Sequence, residues 1–314
     1  PRLKGGNGMT KQPAPNQKGN AVHTLFGWLK GYVLIAPAII LLCIFTIYPI
    51  FWQIQSSLYD GSLLSKKRNF VGFQNFANLF ANPDFGQTVG NTIFYSVGVV
   101  IITIVLSTLA AVWLNGEAQK RLNGLTLAAI FTPHIISLVS VTTIFLWLLD
   151  PQIGAINYLL KSVGLPTCPF LASSKTSMFA LVLMMVWKGT GYYTLLTVAA
   201  LQGVPKDIYE AASIDDTPGW RVFFQITLPM ISPTLFFSTI VCTINSFQVF
   251  EPINLMTLGG PANSTNTLVY QIYSDAFKYL KLGQASAEGV VLLVFVLVLT
   301  VIYFAFLGKK VHYQ

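Results

Sequence analysis

Six apolar runs alternate with polar segments along the chain, at 31–52, 91–115, 124–149, 177–201, 229–250 and 289–307. Each approaches the roughly 20 residues that a helix needs to cross a bilayer's hydrocarbon core. The pattern predicts an all-α membrane protein with six transmembrane helices in a domain covering 31–307. The turn at 116–121 is short enough to make the second and third spans antiparallel neighbours. Longer polar segments occupy 53–90, 151–176, which carries Pro151, Pro166 and Pro169, and 251–288. No cleavage site follows the first run, so it reads as a retained span. Ahead of it, 1–20 is rich in Gly, Pro, Asn and Lys and reads as disordered, with 1–8, before Met9, as a remnant of expression. Segment 21–30 sets Leu25, Phe26 and Trp28 among Lys and His, as an interfacial helix does, and 308–314 is a short basic tail.

Composition agrees with the pattern. Of 314 residues, 54% are hydrophobic and 10% charged, and the mean hydropathy is +0.62, outside the range of soluble domains. The net charge of +8 does not point to nucleic acid, because the basic residues sit mostly at the ends of apolar runs. Six spans put both termini and the loop at 205–229 on one side. Of the 19 Lys and Arg, eleven fall on that side, seven lie opposite, and Lys188 is inside a span. The positive-inside rule therefore places termini and loop in the cytoplasm, although Lys66, Lys67 and Arg68 oppose it. Cys43, Cys168 and Cys242 show no disulfide or metal-ligand spacing, and no metal site is expected. Phosphate-loop, HExxH and GxGxxG motifs are absent, so the chain has no ATPase or catalytic constellation of its own and is not expected to be an enzyme.

The 205–229 loop, PKDIYEAASIDDTPGWRVFFQITLP, is a polar and aromatic island. Ile208, Ala211, Ala212 and Ile214 recur at helical spacing after Pro205. Asp215 and Asp216 then break the helix. Thr217 is expected as N-cap and Pro218 as first residue of a second helix, whose face of Trp220, Phe223, Phe224 and Leu228 ends at Pro229. Asp207, Glu210, Asp215 and Asp216 make an acidic surface, and the aromatics are of the kind that anchor interfaces. Amphipathic helices resting on lipid are the alternative.

Glu210-Ala211-Ala212 with the closing Ile226-Thr227-Leu228-Pro229 resembles the EAA loop of the permease subunits of type-I ABC importers. That resemblance implies two coupling helices seated in a cleft of a separate ATPase, with Glu210 as the charged contact and Ala211 and Ala212 as close-packing positions. Asp216 stands where the family usually has Gly. Asp tolerates the left-handed conformation better than most residues, so the turn is expected to survive. The phrases at 70–80, FVGFQNFANLF, and 257–273, TLGGPANSTNTLVYQIY, resemble segments of the carbohydrate branch of these permeases. In the second, Gly259 and Gly260 suit positive φ and Pro261 stops helix continuation.

Polar residues inside spans are candidates for a transport pathway, because facing lipid would be costly. Ser238, Cys242, Asn245 and Gln248 share one helical face in the fifth span. Asn245 and Gln248 supply the mixed donors and acceptors that sugars need; interhelical hydrogen bonding is the alternative. Lys188, near the middle of the fourth span with Tyr192 one turn on, must face a cavity, pair with a carboxylate such as Asp150 or Glu251, or sit at a helix break. A pathway wall suited to an anion and a structural pair are both open. His134, beside Pro133, reads as a packed or kink histidine.

The resemblance implies alternating access in the bacterial cytoplasmic membrane. The implied partners are a homologous second permease chain, two cytoplasmic ATPase subunits that bind ATP and Mg, and an extracytoplasmic substrate-binding protein. No cofactor is expected in this chain; membrane lipid is a further partner, and nucleic acid is not expected as one. The solute reads as a carbohydrate, with an acidic oligosaccharide or glycerol phosphate as alternatives. A gradient-driven secondary transporter would require intramembrane carboxylates, and no Asp or Glu falls inside the six runs. A membrane-embedded enzyme is disfavoured because Glu and His do not cluster at one depth.

Overall fold

The computed structural model describes residues 32–62, 68–115 and 123–307, within two units, 1–52 and 53–314. The sequence readings for 1–30, 116–121 and 308–314 lie outside the described residues. What is described of the first unit belongs to helix α1 (Tyr32–Ser56), which contains a π-helical turn, Cys43–Ile47. Its large apolar side chains, Leu34, Phe45 and Phe51 among them, are exposed. Such a surface is stable against lipid or another apolar chain.

The second unit opens on an antiparallel ribbon, β1 (Tyr59–Asp60) against β2 (Asn69–Phe70), with Tyr59 opposite Phe70. Helices α2 (Gln74–Ala81) and α3 (Pro83–Asn115) follow. α3 starts eight residues before the second apolar run. Pro83 fits the first turn, Asp84 favours the positive helix end, and Asn82 Oδ1 accepts the Asp84 N–H at 3.1 Å. Hydropathy marked where the helix turns apolar, while the helix itself continues through Gln87 and Thr88.

The third run is not one helix. α4 (Asn123–Ile135) and α5 (Leu138–Leu148) meet at 95°. Pro133 removes a backbone donor and Ser137 is extended, with ψ 137°, so the path turns at Ile136. α6 (Ala155–Ser162) leads by a loop to α7 (Ser177–Gln202), which matches the fourth run and packs against α3, α4 and the later α10. α8 (Lys206–Ile214) and α9 (Gly219–Met230) form the 205–229 loop. α9 passes through Pro229 and bends by 69° into α10 (Ser232–Phe247). A π-helical turn, Phe223–Thr227, lets the Leu228 N–H reach Phe223 O and accommodates the proline. The break therefore falls at Ile231.

Past a π-helical turn, Ile253–Thr257, come α11 (Leu268–Tyr273), a further π-helical turn, Ser274–Lys278, and α12 (Leu282–Ala305). α12 begins seven residues before the sixth run and brings Glu288 into a membrane helix. The sequence expectation that no acid lies inside a span is corrected: the side chain is fully buried. The core has two main parts. Tyr95, Val141, Leu181, Met184 and Ile253 belong to one, and Ala111, Leu114, Val198, Leu201 and Ile231, beside the 205–229 loop, form the other.

Candidate functional site

The 205–229 loop projects from the C-terminal end of α7. Pro205 caps α8, and the chain leaves that helix through Asp215 and Asp216, the latter at φ +49°. The turn thus adopts the left-handed geometry that glycine would supply, closed by the Thr217 N–H donating to Ala212 O at 3.0 Å. The cap of α9 is Pro218, with no side-chain hydrogen bond; Thr217 is one residue too early to serve. Ala212 is buried while Glu210, Ala211, Asp215 and Asp216 are exposed. Tyr209 Oη and Thr227 Oγ1, 3.2 Å apart, tie the two helices together. A groove of about 420 Å³ runs between them, lined by Asp207, Ile208, Ala211, Asp215, Thr217 and Ile226. Ile214, Trp220 and Phe224 are 81%, 63% and 59% exposed, too much apolar surface for a loop facing water alone. Phe223 is half-buried edge-on to Phe224, and Arg221 lies over the Trp220 ring.

Lys188 pairs with neither Asp150 nor Glu251. Its Nζ donates to Ile136 O at 2.6 Å and to Pro133 O and His134 O, each at 3.2 Å. Those carbonyls are the ones freed where α4 gives way to α5, so the ammonium caps a break in a neighbouring helix. Asp150 instead accepts the Gln152 and Ile153 N–H groups, which hold its carboxyl below the ordinary range.

Tyr192 stacks on His134, with ring centroids 4.8 Å apart, and meets Tyr193 edge-on at 5.1 Å. Tyr193, buried, contacts both Cys242 and Asn245. A continuous line therefore runs from the α4–α5 break through α7 to α10. The polar stripe of α10 divides along it: Ser238 and Cys242 are buried in the core, whereas Asn245 and Gln248 are exposed. The sequence pattern does not single out Tyr193, the residue that joins the two candidate groups, because helical spacing points to its neighbour Tyr192 as sharing a face with Lys188.

At the opposite end of α7 the Gly259-Gly260-Pro261 turn is held to the bundle. Gly259 has φ +82°, and a side chain there would press on Tyr270. Asn91 Nδ2 donates to Asn263 O and Asn266 O at 2.8 and 3.0 Å, and Ser177 Oγ lies 3.1 Å from Ser264 Oγ.

A bundle of long apolar helices, with polar groups buried between them and an amphipathic loop at one end, defines a multi-span membrane protein. Residues 103–312 match the family described as the binding-protein-dependent transport system inner membrane component, and the chain belongs to that family. It is 34% identical over 287 residues to the sn-glycerol-3-phosphate transport system permease protein UgpA of Agrobacterium fabrum, covering 90% of this chain and 96% of the relative. It is also 34% identical over 283 residues to the lactose transport system permease protein LacF of Rhizobium radiobacter, covering 88% and 93%. A chain of a solved bacterial alginate ABC transporter, in complex with an alginate pentasaccharide-bound periplasmic protein, shares the fold. The TM-score is 0.80 at 24% identity, covering 91% of this chain and 96% of that one. The permease fold implied by the EAA loop is thus the fold of this chain.

Proposed function

We propose that this chain is one of two membrane-spanning subunits of an ATP-driven importer that accepts a carbohydrate or glycerol phosphate from an extracytoplasmic binding protein. Support for the solute class comes from the relatives named for sn-glycerol-3-phosphate and lactose and from the fold shared with an alginate transporter. The observation that carries the coupling role is the exposed Ile214, Trp220 and Phe224 surface beside the Glu210 carboxylate and the inter-helix groove. A partner with a basic residue and an apolar cleft would bury these groups, the composition that interface anchors favour. In this reading the partner is an ATPase that binds ATP and Mg. The 205–229 loop and both termini lie in the cytoplasm. Alternating access follows when ATPase closure moves α8 and α9, since solute and nucleotide communicate only through states that differ at both sites. Asn245, Gln248 and Tyr192 are the side chains proposed to meet solute, with the buried Tyr193 joining Tyr192 to Asn245.

Expressing this chain, tagged, with its neighbouring genes tests the reading. The expected result is copurification of an ATPase and a second permease, with ATP hydrolysis raised by one loaded binding protein. Glu210→Ala is expected to lower uptake at least tenfold or to release the ATPase. Unchanged uptake and unchanged ATPase recovery would overturn the coupling role of Glu210. Glu288 and the two broken helix pairs do not revive the gradient-driven alternative, because the chain belongs to the binding-protein-dependent transport family.

A further inference from the structure

The short helix α6 (Ala155–Ser162) has one side turned to the bundle: Asn157 is buried and Ile156 packs on the main core. Asn157 also ties down the loop that follows. Its Nδ2 donates to Pro151 O at 3.2 Å and to Cys168 O at 2.8 Å, and its Oδ1 accepts the Cys168 N–H at 2.9 Å. The helix is therefore held in one orientation, with a defined outer side. That side is apolar. Tyr158, Leu159 and Val163 are 75%, 62% and 70% exposed, and Ile153 and Leu165, also exposed, flank them. Leaving so much apolar surface in water is costly, and a continuous patch of this kind marks an interaction surface.

We propose that α6 lies on the bilayer at the end of the bundle opposite the 205–229 loop, its outer side in the boundary between headgroups and acyl chains and the Lys161 ammonium on the phosphate of an anionic phospholipid. Three observations point to lipid as the occupant. α6 follows directly on α5, an arm of a broken span whose Val139, Ile144 and Trp147 are exposed, so apolar surface continues along the chain from the hydrocarbon into α6. Charge in the segment has one sign: 151–176 carries Lys161 and Lys175 and no Asp or Glu, which complements an anionic headgroup layer. Tyr158 lies one helical turn before Lys161, and an aromatic ring with a polar tip beside a long cation is the pairing that settles at the edge of the hydrocarbon. Anchored there, α6 fixes the depth of the end of α5, the arm that begins at the break capped by Lys188. This inference is independent of the solute and of the coupling role.

The test puts the photoreactive residue benzoylphenylalanine in place of Tyr158 or of Leu159. The chain is assembled with its partner subunits in nanodiscs of mixed phosphatidylglycerol and phosphatidylcholine, with binding protein added. Both positions are exposed, so neither replacement enters the core. After irradiation, mass spectrometry of the α6 peptide is expected to show lipid adducts at a yield well above that of the same probe in place of Gln74, an exposed residue bordering a polar cleft. Phosphatidylglycerol adducts are expected to outnumber phosphatidylcholine adducts, and Lys161→Gln to lower that ratio roughly fivefold. Adducts with a second permease chain or with the binding protein in place of lipid would overturn the proposal, as would a lipid yield no higher than at Gln74. A headgroup ratio unchanged by Lys161→Gln would overturn the phosphate contact.

Discussion

Replacing Lys188 by methionine keeps most of the aliphatic stem and deletes only the ammonium. Three carbonyls at the α4–α5 break would lose their common donor. A hydrogen bond from a charged donor contributes about 1.5–3 kcal/mol net. The 2.6 Å bond to Ile136 O warrants that full value, while the two at 3.2 Å are long for a charged donor, and water can replace them at a half-buried site. The expected loss is therefore about 2–4 kcal/mol, read as the shift in unfolding free energy during denaturation in mixed micelles. Lys188→Arg should recover part of it, since a guanidinium keeps the charge but cannot converge one nitrogen on three carbonyls. A Lys188→Met protein within about 0.5 kcal/mol of the parent would refute the capping argument, that being the spread of neutral surface changes. If the same protein had also lost transport, Lys188 would be a solute contact instead.

Gly191→Ala should cost about 3 kcal/mol or misfold the chain, because its methyl would enter the backbone of Ile130 and Phe131. Gly189→Ala, whose methyl would rest 3.6 Å from Thr103, should be nearly neutral; thermal unfolding of the pair checks both. Asp216→Val is expected to weaken the 205–229 turn by about 1–2 kcal/mol and Asp216→Gly to preserve it, as measured by hydrogen exchange at the Thr217 amide. The Asp150 carboxyl has a lower pKa folded than unfolded, so its stabilisation of the 150–153 turn is complete above the unfolded carboxylate value. It fades as pH falls through the depressed one. A titration of the Gln152 amide resonance should follow that loss, and Asp150→Asn should abolish it.

The 205–229 loop was the most legible part of the chain, because proline, paired aspartates and helical spacing act locally. Even the left-handed Asp216 follows from the poor tolerance of other side chains for positive φ. Span ends were less legible. α3 and α12 continue as helices past their apolar stretches, so hydropathy placed their starts at 91 and 289 rather than at Pro83 and Leu282. That displacement hid Glu288. The bond set of Lys188 was legible only as a requirement for some partner. Which carbonyls met it depended on a break 52 residues away in sequence, at Ile136.

α9 and α10 are joined without slack, and their corner, Ile231, is 1% exposed among Ala111, Leu114, Val198 and Leu201. If α9 is pushed, as the proposed coupling role requires, a corner clamped in this way would act as a bell crank. The arm from Gly219 to Ile231 is about 18 Å long at 1.5 Å per residue. Tilting it by about five degrees carries its tip roughly 1.6 Å. The other arm is α10, which bears Asn245. In the proposed coupling role, rigidity at one buried isoleucine would set how faithfully a push at the membrane surface is turned into rotation within it.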